Sequence, residues 1–150
     1  VPKRSLSFQI VWLLTTALTV FLLSGCKVPD DPEGTTKEVI GGVLKVGALT
    51  QTLDDVDADA VALIAEALQA EPELATADPH TLFAQLEDGK IHLVAGRIPA
   101  NTPFAADVAL TDPVGHLVLG EDSEDRVLAI RKGENSFLIV VNRAIRGPME

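Results

Sequence analysis

Apolar runs and helical stripes alternate along residues 43–146, and that alternation limits the folds open to this chain. VLKVGAL, residues 43–49, reads as a buried strand. DADAVALIAEALQA, residues 57–70, reads as a helix, with Val61, Ile64, Ala65 and Leu68 at i, i+3, i+4 and i+7 on one face. Asp54, Asp55, Asp57 and Asp59 gather before and within its first turn, where carboxylates favour the helix dipole. Residues 73–77 form a weak second strand. Asp78-Pro79 is an N-cap followed by proline at the first helical position, opening a helix over 80–88 that ends at Gly89. Residues 91–96 are apolar enough for a parallel core strand. Thr102-Pro103 opens a short turn. Residues 108–111 and 116–119 are short extended pieces, and 126–131 is a further strand. A last helix runs from 133 to about 146, where Gly147-Pro148 stops it. The order β-α-β-α-β…β-α predicts an α/β fold: a three-layer-like single lobe with a mostly parallel sheet flanked by helices. Ligands approach such sheets at the strands' carboxyl ends. Here those ends lie near 48–55, 96–104 and 131–134.

The chain start is of a different kind. Lys3 and Arg4 precede an uncharged apolar run, residues 10–23, and small residues lead to Cys26, the one cysteine of the chain. A basic start, an apolar run and a small-residue cut site are the parts of a secretory signal. The run is short for a transmembrane helix, which needs about 20 residues. Leu23-Ser24-Gly25-Cys26 resembles the bacterial lipobox. That resemblance implies cleavage before Cys26, acylation of its thiol with palmitate-type chains, and a membrane anchor; each buried CH₂ contributes about 0.8 kcal/mol. An ordinary signal peptide, or a membrane anchor with a stray cysteine, is the alternative. The expected division is therefore a lipoprotein signal peptide over 1–25, a flexible tether over 26–41 and a folded lobe over 42–147. Fully extended, the tether would reach about 50 Å. The lobe would face the periplasm or exterior of a bacterial envelope. Lys27 after the cysteine favours the outer membrane if the cell is Gram-negative.

Loss of Lys3 and Arg4 leaves 10 basic against 22 acidic residues, a net charge of −12. This argues against nucleic acid and anionic lipid surfaces as partners. With Cys26 acylated no thiol remains, so internal disulfides, cysteine metal sites and thiol nucleophiles are excluded. Trp12 departs with the signal and tyrosine is absent. Phe83, Phe104 and Phe137 are then the remaining aromatics, which disfavours sugar stacking and aromatic cages.

Four stretches of the lobe carry a family resemblance. They are GGVLKVGAL, DVDADAVALIAEAL, LEDGKIHLVAGRIPANTPFAADVALTDP and RVLAIRKGENSFLIVVNRAI. Together they resemble one lobe of the bacterial extracellular solute-binding proteins of family 3, which feed amino-acid-type ABC transporters. The resemblance implies one lobe of a periplasmic-binding-protein type II fold, binding rather than catalysis, and an ABC permease or other envelope protein as partner. Asp57 and Asp59 match the two acids of the family's helix-opening signature, and Asp55 replaces its glycine. A full member has a second lobe of about 100 residues where this chain has only the stretch between Pro113 and Arg126. The arginine that clamps a ligand carboxylate in the family is absent; Phe104, Ala105 and Ala106 occupy that region. The alternative is a degenerate lobe, an envelope scaffold or accessory interaction lipoprotein without a small ligand.

The resemblance and the strand-end rule together point to Gly96, Arg97, Asn101, Thr102 and Phe104 as ligand-binding candidates for a small polar solute. They combine a cation, an amide, a hydroxyl and helix-start N–H groups that could meet a carboxylate or phosphate. Against this stands Arg97 as a solvated surface charge. Asp55, Asp57, Asp59 and Glu66 mimic a calcium-loop spacing, but position six is Ala60 and the stretch is helical in pattern. His80, His92 and His116 are scattered. No nucleophile–base–orienter set is visible. Neither a catalytic residue, a metal site nor a cofactor is expected.

Overall fold

The computed structural model describes residues 30–147. The expected signal 1–25, Cys26 and Lys27 lie outside the described residues. The elements run α1 (Thr35–Val39), β1 (Val43–Ala48), α2 (Asp55–Leu68), β2 (Glu71–Thr76), α3 (Pro79–Glu87), β3 (Leu93–Pro99), a 3-10 turn (Pro103–Ala106), β4 (Val108–Leu110), β5 (Gly115–Leu119), β6 (Asp122–Arg131) and α4 (Asn135–Arg146). Among the described residues no helix is long and apolar enough to cross a membrane.

One six-stranded sheet forms the middle layer, in the order β2-β1-β3-β6-β4, with β5 also on β6. The expected α/β lobe is thus present, but its sheet is mixed rather than mostly parallel. β1 pairs parallel with β2 and β3, whereas β6 runs antiparallel to β3, β4 and β5. β6 begins at Asp122, earlier than the apolar run at 126, because its first half pairs with β5 in a hairpin. Leu119 faces Asp122 across a two-residue turn. Gly120 stands first in that turn at φ 71°, where a tight hairpin needs a glycine. The stretch between Pro113 and Arg126 is therefore a hairpin.

Alternation along the strands builds two cores. Leu44, Val46, Leu93, Ala95, Leu128 and Ile130 face Val61, Ile64 and Leu68 of α2 and Phe137 and Val141 of α4. Val94, Ile98, Val127 and Ala129 point the other way, onto Leu82, Phe83 and Leu86 of α3. Helices on both faces of the sheet make three layers. β2 is exposed along its whole length and carries Pro72, which a strand tolerates at a sheet edge.

The segment expected to be a tether behaves differently. Residues 35–39 form α1, and Val39 is fully buried in the first core. Just before it, the chain docks on the start of α4. Asn135 N donates to Asp30 O at 3.1 Å, and Phe137 N donates to Asp31 Oδ1 at 2.9 Å. In return the buried Glu134 carboxylate accepts from Glu33 N at 3.1 Å and Thr35 N at 3.0 Å. Each helix start caps the other, so orphan N–H groups on both, Thr35 N and Phe137 N among them, are satisfied. The folded unit takes in at least residues 30–41, because these bonds and Val39 hold them on the lobe.

At the same end, His92 extends the β1–β3 ladder with its side chain. His92 N donates to Lys45 O at 2.9 Å, and Nδ1 accepts Lys45 N at 3.1 Å. An imidazole accepting at Nδ1 carries its proton on Nε2. That nitrogen lies 3.3 Å from Glu38 Oε1, close but not aligned as a hydrogen bond. Burial pushes the His92 pKa below its ordinary 6.5, with Glu38 partly offsetting it. The unfolded chain then takes up the proton first. His92's contribution to stability is present above pH 6.5 and lost as pH falls through that value toward the lower folded pKa. Urea midpoints measured between about pH 7.5 and pH 5 should fall more for the wild type than for His92→Gln, which cannot titrate. Equal falls would place the acid sensitivity elsewhere.

Candidate functional site at the strand carboxyl ends

β1 and β3 end beside the start of α2 and the middle of β6. β3 bulges there, its register on β6 shifting between Val94 and Ile98. Two residues make the bulge. Gly96 sits at φ 133°, and a Cβ on it would come within 2.6 Å of Leu49 Cβ. Leu49 N in turn donates to Ala95 O at 2.9 Å. Arg97 follows in the left-handed region at φ 59°. A non-glycine residue held there stores strain, which surrounding contacts must overcome.

The contact that holds it comes from Asp57. This side chain is fully buried in the first turn of α2, and its Oδ2 accepts Arg97 N at 2.8 Å. Asp57 also faces Arg126, at the midpoint of β6 and only 3 % exposed. Arg126 Nε donates to Asp57 Oδ1 at 3.0 Å, and its Nη2 lies 2.6 Å from Oδ2. Arg126 Nη2 further donates to Asp54 Oδ1. Asp54 caps α2, accepting Asp57 N at 3.3 Å, and is approached by Arg97 Nη1 at 3.2 Å. One buried guanidinium thus serves two carboxylates, and the more exposed Arg97 closes the group from outside.

The charges follow this geometry. The Arg126 hydrogen bond, opposed by partial desolvation, lowers the Asp54 pKa to about 2, so Asp54 stays ionised until strongly acid pH. Burial works against the charge of Arg126, but hydrogen bonds to Asp54 and Asp57 outweigh it and raise its pKa.

The five sequence candidates separate in space. Gly96 and Arg97 belong to the ion cluster. Asn101 is exposed on the turn leaving β3. Thr102 is buried; its N donates to Pro99 O at 3.0 Å, and its Oγ1 accepts Phe104 N at 3.5 Å. That leaves less free N–H at the 3-10 turn than its sequence promises. Phe104 turns to the α3 side, stacked on Phe83 at 4.0 Å and 13° and edge-on to His80 at 5.5 Å. The five line none of three cavities found elsewhere. One of about 380 Å³ lies between Leu86, Asp107 and Arg131, and one of about 150 Å³ between Glu33, Glu38, His92 and Arg131. A groove of about 650 Å³ runs between α2 and α4. The calcium-like spacing from Asp55 to Glu66 lies wholly within helix α2. Among the described residues no group of three His, Cys, Asp or Glu is placed to hold a metal ion.

Asp57 and Arg126 belong to the candidate site, and the sequence reading does not name them as ligand-binding residues. A signal existed for Asp57: it stands four residues before Val61 and seven before Ile64, on the buried stripe of α2. For Arg126 the signal was a cation opening an otherwise apolar strand. Taking Arg126→Met as a test, Asp57 loses its cation in a buried place, and the expected cost is about 3–5 kcal/mol. Arg97→Ala removes an exposed pair and should cost less than about 1 kcal/mol. Chemical unfolding of both variants measures this; equal losses would refute the assignment of Arg126 as the buried centre.

Comparison with solved structures places this architecture. Domain 1 from TmArgBP in its arginine-bound form matches with a TM-score of 0.61 and 22 % identity, over 76 % of this chain and 96 % of that domain. The ancestral amino acid-binding protein AncCDT-1, described as a precursor of cyclohexadienyl dehydratase, matches with a TM-score of 0.63 and 15 % identity, over 75 % and 92 % of the two chains. The L-cystine solute receptor of Neisseria gonorrhoeae, unliganded and open, matches with a TM-score of 0.59 and 11 % identity, over 73 % and 88 %. The chain therefore has the fold of a single lobe of periplasmic-binding-protein type II. No family model matches the sequence, and no curated protein does.

Proposed function

We propose that the chain is a lipid-anchored, extracytoplasmic solute-binding-like protein serving ABC-type transport or sensing of a small polar solute. The supporting observation is the match to a single domain, named as an arginine-bound form, over nearly its whole length. There one domain is in its arginine-bound form, so a lobe without a partner lobe is not by that fact unable to bind. The solute would meet the carboxyl ends of β1 and β3. There the Gly96–Arg97 bulge offers backbone and a half-free guanidinium, and Asn101 offers an amide. Thr102 and Phe104 shape the turn, the phenyl ring being engaged with Phe83. The reading is one of binding and needs no catalytic residue.

A second reading is an envelope scaffold or accessory interaction lipoprotein without a small ligand. It is favoured by the cluster itself: Asp54 and Asp57 already satisfy Arg126, and Arg97 is shared with Asp54. Thermal unfolding of the mature protein against a panel of free amino acids and other polar solutes separates the two. Binding should raise the melting temperature with at least one solute, by about 2.7 kcal/mol of added stability at a hundredfold excess over Kd. Arg97→Ala should abolish that rise. A flat panel together with a co-purifying envelope protein would replace the first reading by the second.

A further inference from the structure

We propose that the lobe stands on the bilayer on the end where α4 begins, with the carboxyl ends of β1 and β3 pointing away from the membrane. This rests on acylation of Cys26, and it follows from where the chain joins the fold. Asp30, Asp31 and Glu33 are bonded to the start of α4 and to Glu134, beside the last residues of β6. Glu33 also lies 3.6 Å from Arg131, the final residue of β6. The described contacts therefore hold the chain to the lobe from Asp30 onward. From Cys26 to Asp30 the sequence has four steps, a reach of at most about 14 Å.

β6 sets the height of the lobe. Its ten residues run from the hairpin turn at Gly120 to Arg131, about 33 Å. The hairpin stands at the far end from the docked segment, and Arg126 lies half-way, about 17 Å from Arg131. To set the hairpin end on the bilayer, Asp30 would have to stand about 30 Å above it, roughly twice the reach of four residue steps. The near end carries Glu33, Glu38, Asp88, Lys90, Arg131 and Lys132, a mixed charged surface, with the exposed Ile40 and Val43 at the entry to β1. A solute or protein partner then reaches the site from the aqueous side.

Cys26 is the only native cysteine, so an introduced one can be labelled alone once Cys26 is acylated. Lys90→Cys at the near end and Val118→Cys on the hairpin are both exposed positions. Each lipidated, fluorophore-labelled variant is placed in phosphatidylcholine vesicles that contain a nitroxide-headgroup lipid. The expected result is loss of fluorescence at position 90 with the signal at 118 retained. Quenching at 118 as strong as at 90, with the acyl group on Cys26 shown by mass spectrometry, overturns the orientation while leaving the anchor intact. Absence of any acyl group on Cys26 removes the anchor and the orientation together. A Gly/Ser spacer of about 20 residues between Val28 and Pro29 should erase the difference, since it adds roughly 25 Å of flexible reach. A difference that survives the spacer overturns the role given to the short tether.

Discussion

A guanidinium that is 3 % exposed, facing a carboxylate with no exposure at all, is the constraint on which the strand-end region depends. Taking both charges out of water costs several kcal/mol per ion, and mutual attraction repays this only with good geometry and further hydrogen bonds. Here both conditions are met. Arg126 binds Asp57 through two nitrogens and reaches Asp54, while the remaining lone pair of Asp57 takes the Arg97 amide. What the group contributes is position. It ties the start of α2 to the middle of β6 and holds the β3 bulge between them, with Arg97 in a backbone region that a non-glycine residue rarely occupies.

That arrangement satisfies the strand ends internally, without the clamp that the family resemblance implies. The resemblance implied an arginine after the threonine turn, and Phe104, Ala105 and Ala106 stand there instead. Phe104 packs on α3, so the turn is directed toward the second core. Meanwhile the strand ends carry charge that is largely internally satisfied. The hairpin of β5 and β6 fills the stretch where a second lobe would depart, and it closes with a two-residue turn. The docked start of the chain, Asp30 to Glu33, lies at the opposite end of β6 from this hairpin.

Much of the fold was legible because burial imposes period. The apolar runs of β3 and β6, buried on both faces, and the stripe on α2 are set by which faces meet a core, and these survive in the sequence. β2 read weakly because it is an exposed edge, with neither face selected by burial. The start of β6 was missed because residues 122–125 pair with β5 while remaining mostly in water, so no apolar run marks them. α1 was taken for a tether because its order comes from bonds to Glu134 and Asn135, about 100 residues away, which no local pattern reveals. The same reason hid the ion cluster. Asp57 looks like any helix-start carboxylate until Arg126 is brought to it across 69 residues. Gly96 and Arg97 come together with the ion cluster because the strand-end rule marks a place in the fold, whereas the position of Phe104 depends on which way one turn faces.

The central claim is that the carboxyl ends of β1 and β3 are where this lobe meets a solute. Amide-resolved NMR of the uniformly labelled mature protein, titrated with free amino acids, tests it most directly. The account predicts that the responding amides centre on Gly96 and Arg97 and extend to Leu49, Asp54, Asn101 and Thr102. Shifts centred on His92 and Arg131 at the opposite end, or none with any amino acid, would contradict it.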